Sequence, residues 1–234
     1  MARSLHLLSG GAAQALVEGL RPRLVAEQQC DVRGTFGAVG AMRDKLLAGE
    51  PCDVVILTQA LIDALVAGGH AVPGSAAPLG TVMTGVAVRT GATAPDVTTR
   101  DALKRALLAA SAVFCPDTVK ATAGIHFLKV LKTLGIDAEI APRLREHPNG
   151  ATAMREMAHS GLPDAIGCTQ VTEILYAPGV QLVGLLPKEF ELATVYTAAV
   201  CTRAAEPDAA GVFVRMMAGA GAAALRQACG FEAA

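Results

Sequence analysis

The sequence predicts an α/β protein in which buried strands alternate with helices around a substantial hydrophobic core. Of its 234 residues, 52% are hydrophobic and 18% are charged, a composition typical of folded chains and unlike that of disordered ones. Along the chain, short apolar runs are followed by small-residue turns and then by segments with helical periodicity. The 20 basic and 21 acidic residues leave no basic footprint, which argues against a nucleic-acid partner.

The first third of the chain contains three predicted strand–helix pairs. We predict strands at 5–8, 31–36 and 52–57, and helices at 12–28, 41–48 and 59–67. Pro22 lies inside the first helical segment and is expected to kink or divide it. Thr58 directly precedes the third helix, where it is the expected N-cap. Strand–helix alternation of this kind favours a parallel sheet.

The remaining two thirds continue the alternation, without internal repeats or a flexible linker. We predict strands at 82–89, 112–115, 165–168, 180–185 and 192–201, and helices at 99–108, 122–134 and 151–159. Thr98 or Thr99 is the expected cap of the first of these helices, and an Asn149-Gly150 turn precedes the third. A last helix is expected to begin at Pro207 and to continue to about Cys229.

Neither a membrane-spanning helix nor an export signal is predicted. The uncharged stretch 64–88 is interrupted by glycine and proline, and the apolar run after Arg3 is shorter than a signal-peptide core. As written, the chain is expected to be cytoplasmic, or periplasmic if a leader was removed. The six cysteines form no CxxC pair, so we expect free buried thiols in a reducing compartment. The histidine spacing fits no metal site, and no cofactor is expected.

Several predicted strands end in a short turn of small or hydroxyl residues that opens directly into a helix. The N–H groups and the positive dipole end at such a corner attract anions, and ligands of open α/β sheets collect at the carboxyl ends of strands. Convergent corners would therefore form a site for a small anionic metabolite. None has the Gly-Lys-Ser/Thr ending of a nucleotide-binding P-loop. The corners are Ser9-Gly10-Gly11, Gly37-Ala38-Val39-Gly40, Thr58-Gln59, Thr122-Ala123-Gly124, Asn149-Gly150 and Thr169-Gln170.

Five segments of the chain, in order, carry a family resemblance. They are LHLLSGGAAQALVEGL, FGAVGAMRDKLLAGEPCDVVILT, TAGIHFLKVLKTLGI, GLPDAIGCTQ and ACGFE, and the most specific part is the run 49–56 followed by Thr58. Together they resemble the molybdate-binding solute receptors of the type 2 periplasmic-binding-protein fold. The resemblance implies a two-lobed clamshell, each lobe a mixed sheet flanked by helices, around a ligand cleft. One lobe would be 1–81 plus 193–234 and the other 82–192, with the strands near 82–89 and 192–201 as the hinge.

The resemblance also implies which positions hold the ligand, and here several hydroxyl donors are replaced. Two family serines align with Ala12 and Val39, and a family tyrosine aligns with Cys168. The family's backbone donors align with Ala123 and Gly150. Each lost hydrogen bond to a charged group is worth about 1.5–3 kcal/mol, so the substitutions favour a small organic carboxylate over molybdate.

Other polar residues at the corners suit a planar carboxylate. Lys120 and His126 add a positive and a titratable group near the corner at Thr122, and the remaining donors are hydroxyls and amides. Those donors are Ser9, Thr58, Asn149, Thr169 and Gln170. Lys120 also has a structural interpretation as a solvated loop residue, and His126 as a helix-packing residue.

Two classes of function remain open. The first is a solute-binding protein that closes on a small anion, with a transporter as its partner only if it is exported. The second is a cytoplasmic isomerase of a small unsaturated carboxylate, because aconitate isomerase is similar to the same family. In that class His126 would move the proton next to a carboxylate. Cys168 is a less favoured substitute and is otherwise a buried small side chain. In neither class is membrane insertion expected.

Overall fold

The computed structural model describes residues 3–233, and that part of the chain divides into two compact units. Unit 1 consists of residues 3–82 and 194–233, and unit 2 consists of residues 83–193. The chain therefore leaves unit 1 once and returns to it once. The action of these units as hinged lobes stays a prediction.

The secondary structure alternates along most of the chain. The strands are β1 (Arg3–Gly10), β2 (Cys30–Gly37), β3 (Val54–Thr58), β4 (Ala77–Arg89), β5 (Val113–Pro116), β6 (Leu144–His147), β7 (Ile166–Gln170), β8 (Val180–Leu185) and β9 (Ala193–Val200). The helices are α1 (Gln14–Gln28), α2 (Val39–Leu47), α3 (Gln59–Ala67), α4 (Arg100–Ala109), α5 (Thr122–Leu134), α6 (Asp137–Ile140), α7 (Gly150–His159), α8 (Val171–Tyr176), α9 (Pro207–Ala218) and α10 (Ala223–Ala228). Short 3-10 turns occupy Gly11–Ala13, Ala141–Arg143, Lys188–Phe190 and Ala220–Ala222.

The sheet of unit 1 has the strand order β2-β1-β3-β9. Strand β1 runs parallel to both β2 and β3, as the strand–helix alternation predicts. Strand β9 runs antiparallel to β3, with Thr58 opposite Tyr196 and Val54 opposite Val200. The first residues of β9 lie beside the last residues of β3. Strand β9 therefore runs back along β3 in the opposite direction.

The sheet of unit 2 has the strand order β4-β7-β5-β6, and β8 pairs with β4. Strands β7, β5 and β6 are parallel, whereas β4 is antiparallel to β7 and to β8. The strand–helix alternation accounts for the parallel strands but not for the antiparallel β4, β8 and β9. The α/β fold with mixed sheets flanked by helices, which the family resemblance implied, is confirmed.

Each unit has its own hydrophobic core. In unit 1, Leu16, Leu20 and Leu24 form the buried face of α1 and join the core cluster beneath the sheet. In unit 2, Phe127 and Leu131 of α5 do the same. Pro22 lies on the exposed side of α1, and the helix is continuous from Gln14 to Gln28, so the proline does not divide it.

The predicted last helix is wrong as a single element. Helix α9 ends at Ala218 because Gly219 adopts an extended backbone with ψ of 163°, and α10 begins only at Ala223. The Arg226 guanidinium donates to the carbonyls of Met217 (2.6 Å) and Gly219 (2.9 Å) and so satisfies groups that the break leaves without helical partners.

Within 3–233, no single helix is long and apolar enough to cross a membrane. The bent pair Pro207–Ala218 and Ala220–Ala228, which meet at 62°, passes the length and composition test only when taken together.

Candidate functional site

Three of the predicted corners lie side by side at one edge of the unit 1 sheet. Strands β1, β2 and β3 are parallel, and Ser9 is in register with both Phe36 and Ile56, so their carboxyl ends share this edge. Helices α2 and α3 begin there, after Ala38 and Thr58, and neither residue makes a side-chain cap hydrogen bond. The N–H groups of these first turns are therefore left for backbone, solvent or a ligand.

The unit 1 edge is more apolar than the sequence suggested. Ser9 is fully buried and its hydroxyl donates to the carbonyl of Gly10 at 2.8 Å, which occupies its donor. Ala12 and Val39 are buried, and so is the ring of Tyr196. A Cβ atom on Gly10 would lie 2.8 Å from Cγ1 of Val39 and 3.0 Å from Cε1 of Tyr196, so only glycine fits there.

The other predicted residues of this edge are placed by close packing. Gly11 starts the 3-10 turn after β1, and a Cβ on Gly37 would lie 2.8 Å from Cε of Met42. Gln59 accepts from the Thr197 hydroxyl at 2.5 Å and is thereby fixed against β9. Tyr196 and Thr197 were not predicted as site residues, because their position depends on the antiparallel pairing of β9 with β3.

The remaining corners lie at one edge of the unit 2 sheet. Strands β5, β6 and β7 are parallel, and each is followed along the chain by a helix, α5, α7 and α8 respectively. The corner at Asn149 is capped, since its Oδ1 accepts from the N–H of Thr152 at 2.8 Å. The corner before α5 is not capped by a side chain, because Ala121 holds the N-cap position.

A buried carboxylate, Glu173, occupies the beginning of α7. Its Oε1 accepts from the backbone N–H of Gly150 at 3.1 Å, and its Oε2 accepts from the Thr169 hydroxyl at 2.6 Å. The N–H groups of Ala151 and Gln170 also donate to it. Glu173 is 5% exposed, so an internal carboxyl group occupies the helix start where an external anion was predicted.

The geometry around Glu173 leaves no room for a side chain at position 150. A Cβ atom on Gly150 would lie 2.1 Å from Oε2 of Glu173 and closer still to Oγ1 of Thr169. Burial raises the pKa of Glu173, and the hydrogen bonds from Thr169, Ala151 and Gly150 only partly offset that effect. These contacts compete with the ligand-binding roles predicted for Gly150 and Thr169, which stay predictions.

The loop before α5 is held by two carboxylates. Oδ1 of Asp117 accepts from the N–H groups of Val119 (2.7 Å) and Lys120 (2.8 Å), and Glu146 Oε2 accepts from both the N–H and the hydroxyl of Thr118. The side chain of Lys120 is exposed, as its structural interpretation implies.

The three residues that open α5 have unequal exposure. Thr122 is half-buried, whereas Ala123 and Gly124 are buried. A Cβ atom on Gly124 would lie 2.2 Å from the carbonyl oxygen of Asp117, so the loop can pass over the helix start only at a glycine. The backbone of this corner is consequently fixed in place before any ligand arrives.

The two predicted catalytic residues occupy structural positions. His126 is half-buried, and its Nε2–H donates to the carbonyl of Phe190 at 2.8 Å, which ties α5 to the 3-10 turn. Cys168 lies fully buried in the unit 2 core, where burial raises the pKa of its thiol well above the ordinary value. These contacts match the packing interpretation of both residues, and their catalytic roles stay predictions.

Metal-ligating clusters and cavities offer no alternative site among the described residues. Residues 3–233 contain no group of three His, Cys, Asp or Glu side chains that could hold a metal ion. A cavity of about 600 Å³ is lined by Pro78, Leu79 and the C-terminal residues, and another of about 390 Å³ lies against β4 and α4. Neither cavity is lined by a predicted site residue. The candidate site is therefore defined by the edges of the two sheets at which the parallel strands end.

The fold is that of the periplasmic-binding-protein class. Residues 5–232 match the family model described as bacterial extracellular solute-binding protein, and the chain belongs to this family. Over 231 residues it is 28% identical to aconitate isomerase from Pseudomonas sp., covering 94% of this chain and 84% of the relative.

Solved structures show the same fold. The periplasmic molybdate-binding protein of Azotobacter vinelandii superposes with a TM-score of 0.79 at 18% identity, covering 98% of this chain and 99% of that one. The sulfate-binding protein of Mycobacterium tuberculosis superposes with a TM-score of 0.72 at 17% identity, covering 98% of this chain and 86% of that one. At these identities the similarity establishes the fold alone.

Proposed function

We propose that this solute-binding protein takes a small organic carboxylate and discriminates against tetrahedral oxyanions such as molybdate. The observation that carries the proposal is Glu173, whose carboxylate already accepts the Gly150 N–H at 3.1 Å. By the family resemblance, that N–H is one of the backbone donors to the oxyanion. The Gly150 N–H is therefore already bonded to the carboxyl group of Glu173 and is not free for an external oxyanion.

The charge of Glu173 disfavours a second anion at the same helix start. Two like charges about 4 Å apart repel by about 4 kcal/mol at an effective dielectric constant of 20, and a dianion suffers roughly twice that. The hydroxyls that would offset the repulsion are absent at Ala12 and Val39. A tetrahedral oxyanion thus meets a repulsive charge and lacks two of its donors.

An organic carboxylate avoids both problems. Its single charged group can use a helix start without a side-chain cap, such as that of α2 in unit 1 or that of α5 in unit 2. The relative from Pseudomonas is named for a carboxylic acid, which supports the same ligand class.

Isomerase activity is the second candidate. The relative named aconitate isomerase favours it, and Glu173 adds a specific observation, a buried carboxyl whose raised pKa suits a proton-transfer group. Proton NMR of a bound unsaturated carboxylate in D2O separates the classes. Deuterium incorporation or cis–trans conversion supports the isomerase, whereas unchanged spectra support a receptor.

The family description also bears on location and partner. An extracellular solute-binding family supports a periplasmic location and a membrane transporter as the partner. The cytoplasmic location expected from the sequence stays a prediction that the family does not favour.

The ligand class is tested by a panel of anions against the purified protein. Molybdate, tungstate, sulfate and small mono-, di- and tricarboxylates are added singly, and the melting temperature is measured. A ligand at one hundred times its Kd stabilises the native state by about 2.7 kcal/mol, so the matching carboxylate gives a clear rise in Tm. Stabilisation by micromolar molybdate, with no response to carboxylates, would contradict the proposal.

A further inference from the structure

Two cysteines of unit 1 face each other although 149 residues separate them in the sequence. The Sγ atoms of Cys52 and Cys201 lie 3.4 Å apart. Cys52 comes just before β3, and Cys201 comes just after β9. Both are buried, with exposed fractions of 6% and 2%. All six cysteines are free and buried, as the sequence predicts, and these two are in addition in contact with each other.

Sheet register brings the two sulfurs together. In the antiparallel β3–β9 pair, Val54 is opposite Val200, and the ladder continues where the N–H of Cys201 donates to the carbonyl of Asp53 at 2.9 Å. Cys52 and Cys201 therefore leave the sheet from adjacent positions at its end. On the other side, Cys201 forms an isolated bridge with Ala71.

A buried carboxylate fixes the backbone on both sides of the pair. Asp53 is 1% exposed, and its Oδ2 accepts from the N–H of His6 at 2.7 Å. Its Oδ1 accepts from the N–H groups of Ala205 (2.6 Å) and Glu206 (3.0 Å), in the turn that follows Cys201. The Asp53 side chain thus links β1, the start of β3 and the segment after β9. Because these links hold the backbones of Cys52 and Cys201 next to each other, only a small side-chain movement is needed for the sulfurs to bond.

We propose that Cys52 and Cys201 are a dithiol site that closes to a disulfide on reaction with a disulfide oxidant such as oxidised glutathione. Each thiol loses a proton, one Sγ–Sγ bond forms, and the two electrons released cleave the oxidant's disulfide into two thiols. The sulfurs need to move from 3.4 Å to the bonded distance of about 2 Å.

Reactivity is expected to be slow in the folded protein. The thiolate is the attacking species, and the hydrogen bond to Cys52, together with burial, raises the pKa of Cys201. Small oxidants therefore act mainly while the chain folds or when the pH is raised. Once formed, the bond links the N-terminal and C-terminal segments of unit 1, and a closed loop of this length strongly restricts the unfolded chain.

Peptide mapping of the full chain tests the proposal directly. The protein is refolded in a glutathione buffer that is either oxidised or reduced, and is then digested without reduction and analysed by mass spectrometry. A cross-linked peptide pair containing Cys52 and Cys201 is expected only in the oxidised sample. The Tm of the intact oxidised protein is expected to exceed that of the dithiothreitol-treated protein by about 5–10 °C. This is the usual effect of one disulfide bond in a chain of this size.

Matched variants separate this pair from the other buried cysteines. Cys201→Ser removes the cross-linked peptide and the redox dependence of Tm, whereas Cys30→Ser retains both, because the Cys30 sulfur faces the carbonyl of Asp31 at 3.7 Å. Cys52 and Cys201 recovered as free thiols from the oxidised wild-type protein, or joined to other cysteines, would overturn the proposal. That result needs no variant, so it stands even if Cys201→Ser fails to fold.

Discussion

Removing the Glu173 carboxylate is expected to destabilise the protein and, at the same time, to create an anion site. In Glu173→Ala, the N–H of Gly150 and the hydroxyl of Thr169 lose their acceptor, and so do the N–H groups of Ala151 and Gln170. A buried donor without a partner costs about 1–3 kcal/mol, and water that enters the vacated space recovers part of this. We therefore expect a net loss of about 3–5 kcal/mol.

The assay compares unfolding of the wild type, Glu173→Ala and Glu173→Gln in urea, with and without added anions. Glu173→Gln retains an acceptor oxygen for Gly150 and is expected to lose only about 1–2 kcal/mol. Glu173→Ala leaves a space with the shape and donors of a carboxylate, so millimolar formate or acetate is expected to restore part of its stability. The exposed Glu156 of α7 provides the control, because Glu156→Ala should change neither stability nor anion response.

Two outcomes would refute this reasoning. If Glu173→Ala is as stable as the wild type, the hydrogen bonds to the carboxylate contribute no net stability. If formate and acetate stabilise it no more than they stabilise the wild type, the start of α7 is not an anion site even when it is vacant. The second result would also remove the physical basis for discrimination against molybdate.

Three further predictions follow from the same contacts. Gly150→Ala is expected to lose about 2–4 kcal/mol in urea unfolding, because its Cβ would lie 2.1 Å from Glu173 Oε2, whereas Gly184→Ala, with its nearest atom at 3.7 Å, should be tolerated. Because burial raises the pKa of Glu173 in the folded state, the proton-linked part of its contribution to stability is full below the ordinary value of 4.5 and is lost as pH rises through the folded pKa. Glu173→Gln should remove that slope from a pH series of Tm values. His126→Ala should lose about 1 kcal/mol through the hydrogen bond to Phe190, and unchanged carboxylate binding by calorimetry would confirm a packing role.

Local patterns in the sequence were sufficient for most secondary structure. The bounds of α3 and α5 agree with the prediction, since Gly68 and Gly135 end helices whose apolar faces repeat regularly. Elements that lack such a signal were missed. Strand β6 has only four residues, none of them fully buried, and α8 is a six-residue helix that follows β7 without a turn.

Contacts distant in sequence explain what could not be predicted at the site. Glu173 lies 23 residues from Gly150, and the two meet only because β6 and β7 flank β5 in a parallel sheet. The local sequence indicated a buried carboxyl group only through the position of Glu173 between the strand β7 and the apolar residues of α8. A charge buried there is costly unless hydrogen bonds surround it. The contact between Cys52 and Cys201 could not be predicted for the same reason, since only the pairing of β3 with β9 brings the two residues together.

An internal anion at a helix start changes which ligands a receptor of this fold can select. A site that presents only N–H groups and hydroxyls favours compact, highly charged anions, because every oxygen finds a donor. Glu173 uses those donors at the start of α7 and adds a negative charge, so each further charge on the ligand becomes unfavourable there. Selectivity between dianionic oxyanions and carboxylates is thus expected to depend on Glu173 more than on the two missing serine hydroxyls, because a repulsion of about 8 kcal/mol for a dianion exceeds the roughly 3–6 kcal/mol of two hydrogen bonds.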